Sequence, residues 1–312
     1  MKKIAVIIFV LALFTPLFLG DFTKLHEVAS LEEADKYIGE NFGGREELIR
    51  ANAMVNVFAF DSSPNKDVVV GRDGWLFLSE DFDKGAVEDW SGVADNMLEF
   101  QETLAERDIQ FLLVLVPDKH TVYRDFLPWR LREWDTGNYD RFFVALSGAD
   151  VNFVDLREYL FNVRDEERAQ GADLLYSKED THWNRLGAFM TFREAMKALG
   201  VEVEDYVDIT TYERAGDLSR LVGLNGAEET WDVVLPSELV SGKAGRLLFF
   251  YDSFGEGWTG YLEKVFDKVN SIPVAEFSIE KTLSRPLENI DVVIVEVVER
   301  DLEEILMGKG ED

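Results

Sequence analysis

Two short strings in this chain hold residue types that can do chemistry together: Asp180-Thr181-His182-Trp183-Asn184 and Tyr251-Asp252-Ser253-Phe254-Gly255. The first sets a carboxylate and an imidazole one residue apart, just ahead of an apolar-periodic stretch. The second sets a serine where the apolar run Arg246–Tyr251 stops and a glycine-rich turn begins. A hydroxyl, an imidazole and a carboxylate are the parts of an activated serine nucleophile, its base and the group that orients the base. The chain has three histidines. His26 lies in a charged lead-in and His120 follows Pro117-Asp118-Lys119, so His182 is the one with a carboxylate in a turn-like context. The expected roles are Ser253 as nucleophile, His182 as base and Asp180 as its orienting partner.

Each assignment has a plainer competitor. A serine between a strand and a helix often caps the helix, and Asp180 or Thr181 could cap the following helix while His182 packs locally. If Ser253 does react, its own backbone N–H, with that of Phe254 or Gly255, is the expected oxyanion donor set. The G-x-S-x-G elbow is absent. Seven tryptophans, Trp75, Trp90, Trp129, Trp134, Trp183, Trp231 and Trp258, suggest sugar stacking. Trp183 and Trp258 are the two close to a proposed reactive group.

Two other chemistries are disfavoured. Gly255-Glu256-Gly257-Trp258-Thr259-Gly260 spells G-x-G-x-x-G. However, Asp252, Ser253 and Phe254 separate it from the strand, Trp258 blocks close backbone approach, and too little chain follows for a dinucleotide domain. No cofactor is expected. With scattered histidines, no cysteine, no H-E-x-x-H and no EF-hand spacing, no metal site is expected either.

At 312 residues, 46% of them hydrophobic and 12% aromatic, the chain can bury a sizeable core. The absence of cysteine removes disulfide and thiolate chemistry. A net charge of −29 with no Lys/Arg cluster argues against nucleic acid as a partner. Residues 1–20 read as an export signal: Lys2 and Lys3 precede Ile4–Gly20, which is uncharged and apolar but for Thr15 and Pro16. That run is short for a membrane span of about 20 residues and long for a cleaved signal core of about 7–15. It is read as an uncleaved signal anchor, with a cleaved signal peptide as the alternative, and the remainder outside the cytoplasm.

Residues 21–64 read as a charged stalk, and residues 65–312 as one catalytic domain. Within that domain, Val68–Leu78 has the form of a β-hairpin around Arg72-Asp73. Helical spacing over Asp95–Arg107, Tyr139–Leu146, Asn184–Leu199 and Trp258–Val269 alternates with apolar runs at Phe111–Val116, Val151–Leu156, Leu247–Tyr251 and Val292–Val298. This alternation predicts an α/β sandwich around a mostly parallel sheet.

Six motifs occur in order: GRDGWLFL at Gly71–Leu78, VPDKHTVYRDFLP at Val116–Pro128, DTHWNRLGA at Asp180–Ala188, GDLSRLVGL at Gly216–Leu224, YDSF at Tyr251–Phe254 and EVVER at Glu296–Arg300. Together they resemble the SGNH-hydrolase-like domain of the alginate O-acetyltransferase family of AlgJ and AlgX. The resemblance covers roughly residues 42–300. It implies an SGNH-like sandwich and a periplasmic or cell-surface O-acetyltransferase of alginate or exopolysaccharide biosynthesis, with a polysaccharide acceptor. It also implies a membrane-bound O-acyltransferase as acetyl supplier and an inner-membrane attachment through the N-terminal segment. The family's nucleophile, base and aspartate fall on Ser253, His182 and Asp180. Tyr251 stands where the family often has glycine. No C-terminal carbohydrate-binding module is expected after EVVER, which is nearer to AlgJ. A carbohydrate acetylesterase with the same triad and a non-catalytic subunit of a polysaccharide-modifying complex are the alternative readings.

Overall fold

Gln110–Val116, Arg246–Tyr251 and Val292–Val298 are nearly continuous apolar runs, and such strands need cover on both faces. The computed structural model describes residues 20–82, 87–132, 137–169, 175–204, 208–224, 226, 228–236 and 238–307. The apolar stretch of residues 1–19 and Trp134 lie outside them. The strands are β1 (Val68–Val70), β2 (Leu76–Leu78), β3 (Gln110–Val116), β4 (Phe153–Asp155), β5 (Asp208–Arg214), β6 (Glu228–Val234), β7 (Arg246–Tyr251), β8 (Lys268–Pro273) and β9 (Val292–Val298). The longer helices are α1 (Leu31–Glu40), α2 (Arg45–Phe60), α3 (Ser91–Ala105), α4 (Gly137–Ala149), α5 (Leu156–Ala169), α6 (Arg185–Ala198) and α7 (Thr259–Val265).

Five strands form the central sheet in the order β4-β3-β9-β7-β8, with every pairing parallel. Alternation along each strand sends side chains to two separate cores. Phe111, Leu113 and Leu115 of β3 meet Phe100 of α3 and Phe142 of α4 on one face. Leu112, Val114 and Val116 meet Leu160 of α5, Phe189 and Phe192 of α6 and Leu262 of α7 on the other. The expected α/β architecture with a mostly parallel sheet is therefore present. β1 and β2 form the expected hairpin, pairing Val68 with Leu78 around a short 3-10 turn at Arg72–Gly74. Ala53 and Val57 of α2 pack into a third core with β1, β2 and the short helix Asp217–Val222.

Two elements differ from the sequence pattern. The single helix expected over Trp258–Val269 stops at Val265, and Lys268–Pro273 becomes strand β8 against β7. This edge strand is mostly exposed or half-buried, so it lacks the continuous apolar run that marks its neighbours. β5 and β6 form an antiparallel ribbon, and β5 has no buried residue in its stretch Asp208–Arg214. A ribbon so solvated leaves almost no hydrophobic period to read. No helix among the described residues is long and apolar enough to cross a membrane.

The doubly covered sheet predicts a steep penalty for thinning its centre. Leu113 is fully buried, so Leu113→Ala should lower unfolding free energy by about 2–5 kcal/mol. Urea denaturation monitored by tryptophan fluorescence would measure it.

Candidate active site

Because β3, β9 and β7 are parallel neighbours, the segments after them emerge at the same carboxyl edge of the sheet, where α/β folds collect reactive groups. After β7 the chain makes a tight turn. The Asp252 carboxylate accepts the Phe254 N–H at 2.8 Å through Oδ1 and the Val298 N–H at 2.7 Å through Oδ2. The turn is thereby tied to the end of β9. Gly255 fits beneath it because a Cβ there would lie 2.5 Å from Glu296 Oε2 and 3.0 Å from the Phe249 ring.

The turn holds Ser253 Oγ 2.8 Å from His182 Nε2, and His182 Nδ1 lies 2.9 Å from Asp180 Oδ1. Asp180 Oδ1 also accepts the His182 backbone N–H at 3.0 Å. The acceptor-only carboxylate assigns the ring proton to Nδ1, which leaves the Nε2 lone pair facing the serine hydroxyl. This arrangement can take a proton from Ser253 and return it to a leaving group.

Asp180 is 1% exposed. Burial pushes its carboxyl up, but the side-chain and backbone hydrogen bonds from His182 and the charge of Arg214 outweigh that and hold its pKa down at about 2. Arg214 Nη2, at the end of β5, is 3.2 Å from Asp180 Oδ2, and the Asp217 N–H is 3.3 Å from the same oxygen. Behind the segment, the buried Lys119 ammonium donates to the carbonyls of Lys178 and Asp180, each at 2.7 Å, and sits 5.2 Å over the Trp75 ring. Gly216 allows this closeness, since a Cβ there would stand 2.0 Å from the Glu179 carbonyl oxygen.

The capping alternatives are filled by other residues. Asn184 caps α6 by accepting the Gly187 N–H at 2.9 Å, so neither Asp180 nor Thr181 does so. The 3-10 turn Gly255–Trp258 has Phe254 at its N-cap and no side-chain cap, so Ser253 is not a capping serine.

Several expected site residues take other positions. The Phe254 N–H is occupied by Asp252, and the Gly255 N–H faces the Glu296 carboxyl. Both of these N–H groups are thus engaged within the turn, which leaves Ser253's own N–H as the expected donor not engaged by Asp252 or Glu296. Trp258 is fully buried, stacked between Trp183 and Phe249, and offers no ring face to a sugar. Trp183 lines the cleft edge, but its indole N–H donates to the Phe254 carbonyl at 3.2 Å, which makes it a support for the Ser253 turn. In the G-x-G-x-x-G string, Gly257 admits Ala188 of α6, whose Cβ would lie 3.0 Å from an added Cβ. Gly255 and Gly257 serve packing, while a Cβ at Gly260 would meet nothing within 4 Å.

Sequence reasoning missed Arg214, Asp217, Lys119 and Glu296. Asp217 had a signal in Gly216-Asp217, but its partner is a segment distant in sequence. Asp217 Oδ1 accepts the Thr181 N–H at 2.7 Å, and Oδ2 stands 3.7 Å from His182 Nδ1. Asp180, His182 and Asp217 bring ligand atoms within 4.8 Å of one another. The Arg214 guanidinium pairs with Asp180 Oδ2 in this cluster. The cleft itself, about 270 Å³, is lined by His182, Trp183, Arg185, Arg214, Ser253 and Glu256, among others.

This architecture matches known proteins. The family model for the SGNH hydrolase-like domain of the acetyltransferase AlgX matches residues 68–241, more than half of the chain. The protein belongs to that family. A curated relative, named probable alginate O-acetylase AlgJ of Pseudomonas putida, is 30% identical over 129 residues, 39% of this chain and 31% of the relative. Its namesake from Pseudomonas aeruginosa is 29% identical over 144 residues, 44% of this chain and 33% of the relative. The chain thus spans about a third of the length of these curated relatives. The solved O-acetyltransferase domain of Pseudomonas putida AlgJ superposes with a TM-score of 0.53 at 22% identity, covering 75% of this chain and 91% of that one. At that identity the likeness is one of fold.

The depressed Asp180 pKa has a definite consequence for stability. A carboxylate held down in the folded state stabilises above its unfolded pKa of 3.8 and loses that contribution as pH falls towards 2. Asp180→Asn should therefore cost about 2 kcal/mol. The penalty should stay constant between about pH 8 and 5 and shrink only below about pH 4. Paired denaturant curves of wild type and variant across this range would test it.

Proposed function

We propose that the protein is an extracytoplasmic polysaccharide O-acetyltransferase working through an acetyl-serine intermediate. The observation that carries this reading is the continuous contact from Asp180 through His182 to Ser253, within a chain of the AlgX-type SGNH family. The relatives' names as probable alginate O-acetylases support acetyl transfer to a polysaccharide.

In the first half-reaction, Ser253 Oγ attacks the acetyl carbonyl of the donor while His182 Nε2 takes the hydroxyl proton. The tetrahedral oxyanion faces the Ser253 N–H. Collapse breaks the bond to the donor's leaving group, which recovers the proton from His182 and leaves acetyl-Ser253. In the second, a sugar hydroxyl gives its proton to His182 and attacks the acetyl carbon. The bond to Oγ then breaks, and Ser253 is reprotonated. Throughout, Asp180 keeps the imidazole in its Nδ1–H tautomer and compensates the imidazolium that forms.

The donor is a membrane-bound O-acyltransferase, and residues 1–20 hold the protein at the inner membrane with its catalytic domain in the periplasm or at the cell surface. The two arginines lining the cleft are both paired with carboxylates, Arg185 with Asp232 and Arg214 with Asp180. With a net charge of −29, the cleft has no surplus cation for a polyanion among the described residues, and a neutral glycan is the better acceptor.

The test uses wild type and Ser253→Ala with an activated acetyl ester and neutral or acidic oligosaccharides, the products read by mass spectrometry. Wild type should acetylate sugar, preferring the neutral series, and the variant should lose at least about a thousandfold in rate. Serine-dependent acetate release that no sugar diverts would establish an esterase instead. Equal inertness of both proteins would favour a non-catalytic subunit.

A further inference from the structure

Directly beneath the nucleophile turn lies a carboxyl group that the mechanism above does not use. Glu296 occupies the middle of β9, is fully buried, and points into the same core as Ile294 and Val298. Its Oε2 accepts the Asp252 N–H at 3.0 Å, and the Gly255 N–H also faces it. Its other oxygen, Oε1, has no hydrogen-bond partner among the described residues. No cation pairs with Glu296 among the described residues.

The groups around it are apolar or anionic. Val114 of β3 stands beside it in register, Phe249 and Tyr251 close the β7 side, and Trp258 stacks beyond Phe249. Asp252 is the charged group that faces it. The next charged residues, Glu299 and Arg300, are held elsewhere: Glu299 accepts Thr121 Oγ1 at 2.7 Å, and Arg300 pairs with Asp118. A carboxyl fully buried in an apolar layer, with no cation and with the half-buried Asp252 carboxylate beside it, is held in its neutral form. Asp252 accepts two backbone N–H groups and is the better seat for the negative charge.

We propose that Glu296 and Asp252 share one proton, and that this neutral-plus-anionic pair is the positioning device that sets the Ser253 turn. Glu296 holds the turn from below through Asp252 and Gly255, while Asp252 ties it to Phe254 and to the end of β9. Glu296 touches no reacting atom and acts only through the turn. In support, burial and the negative charge of Asp252 push the Glu296 carboxyl well above the ordinary carboxylate range. The folded state keeps this proton to higher pH than the unfolded chain, so the stabilisation it gives is complete in acid and fades as pH rises towards the folded value. Ionisation then sets two anions against each other under the nucleophile.

This inference rests on Ser253 as nucleophile only for its kinetic readout. The first measurement is infrared difference spectroscopy of the full chain at pH 7, wild type against Glu296→Gln. The C=O stretch of a protonated carboxyl should be present in wild type and missing from the variant. The second is the pH dependence of Ser253 acylation by a sulfonyl fluoride, for wild type, Glu296→Gln and Glu296→Leu.

Glutamine keeps the acceptor for Asp252 N–H and adds a neutral donor to the Asp252 carboxylate. It should therefore acylate within a few-fold of wild type and retain its rate at alkaline pH where wild type declines. Leucine should lose on the order of a hundredfold. An unchanged infrared band, identical alkaline profiles for wild type and Glu296→Gln, or a folded Glu296→Leu that acylates normally would each overturn the proposal. If Glu296→Leu does not fold, the band and the glutamine profile decide. A wild type that is never acylated would sink the nucleophile reading, while the band would still decide the shared proton.

Discussion

The site depends on keeping an ionised carboxylate inside the protein. Asp180 is almost fully covered, and a buried anion is tolerable only when donors and positive charge replace the lost water. Those replacements come from distant parts of the chain. The imidazole of His182 and its backbone N–H are local, but Arg214 arrives on the β5–β6 ribbon and the Asp217 N–H on the short helix behind it. Lys119, following β3, grips the carbonyls of the same segment from the sheet side. Compensating one charge therefore fixes the relation of the ribbon, the DTHWN segment and the central sheet, and with it the direction in which His182 faces.

The serine side is built differently. Here the chain closes a turn over a carboxyl in an apolar layer, and the N–H groups of Asp252, Phe254 and Gly255 are turned to the carboxyl groups of Glu296 and Asp252. That explains why Gly255 stands where it does, since a Cβ there would clash with Glu296 Oε2 at 2.5 Å. It also explains why Trp183 and Trp258 are walls rather than sugar platforms. Their stacked rings and the Trp183 hydrogen bond to Phe254 hold the turn against α6.

Legibility along the chain follows burial. β3, β7 and β9 are covered on both faces, so each is an apolar run that could be read without a fold. The amphipathic helices over them repeat at helical spacing, and the β1–β2 hairpin shows its turn chemistry. β8 and the β5–β6 ribbon are largely solvated, which leaves no periodic signal. The helix expected through Val269 was a helix of the right start and the wrong end, because the edge strand after it is too polar to announce itself.

The sequence by itself determined the chemistry available: a serine at a strand end, an aspartate and histidine two positions apart, and too few other candidates to compete. Local spacing suffices for that, because Asp180 and His182 reach each other within one turn. Only the tertiary structure decided that Ser253 lies against His182, that Asn184 rather than Asp180 caps α6, and that Arg214 and Asp217 complete the shell. It also set Glu296 under the Ser253 turn, although its strand reads as plain core in the sequence. The physical reason is common to all of these. They are contacts between segments far apart in the chain, created by the parallel order of the strands, and a linear pattern carries the period of each element but not the order in which elements meet.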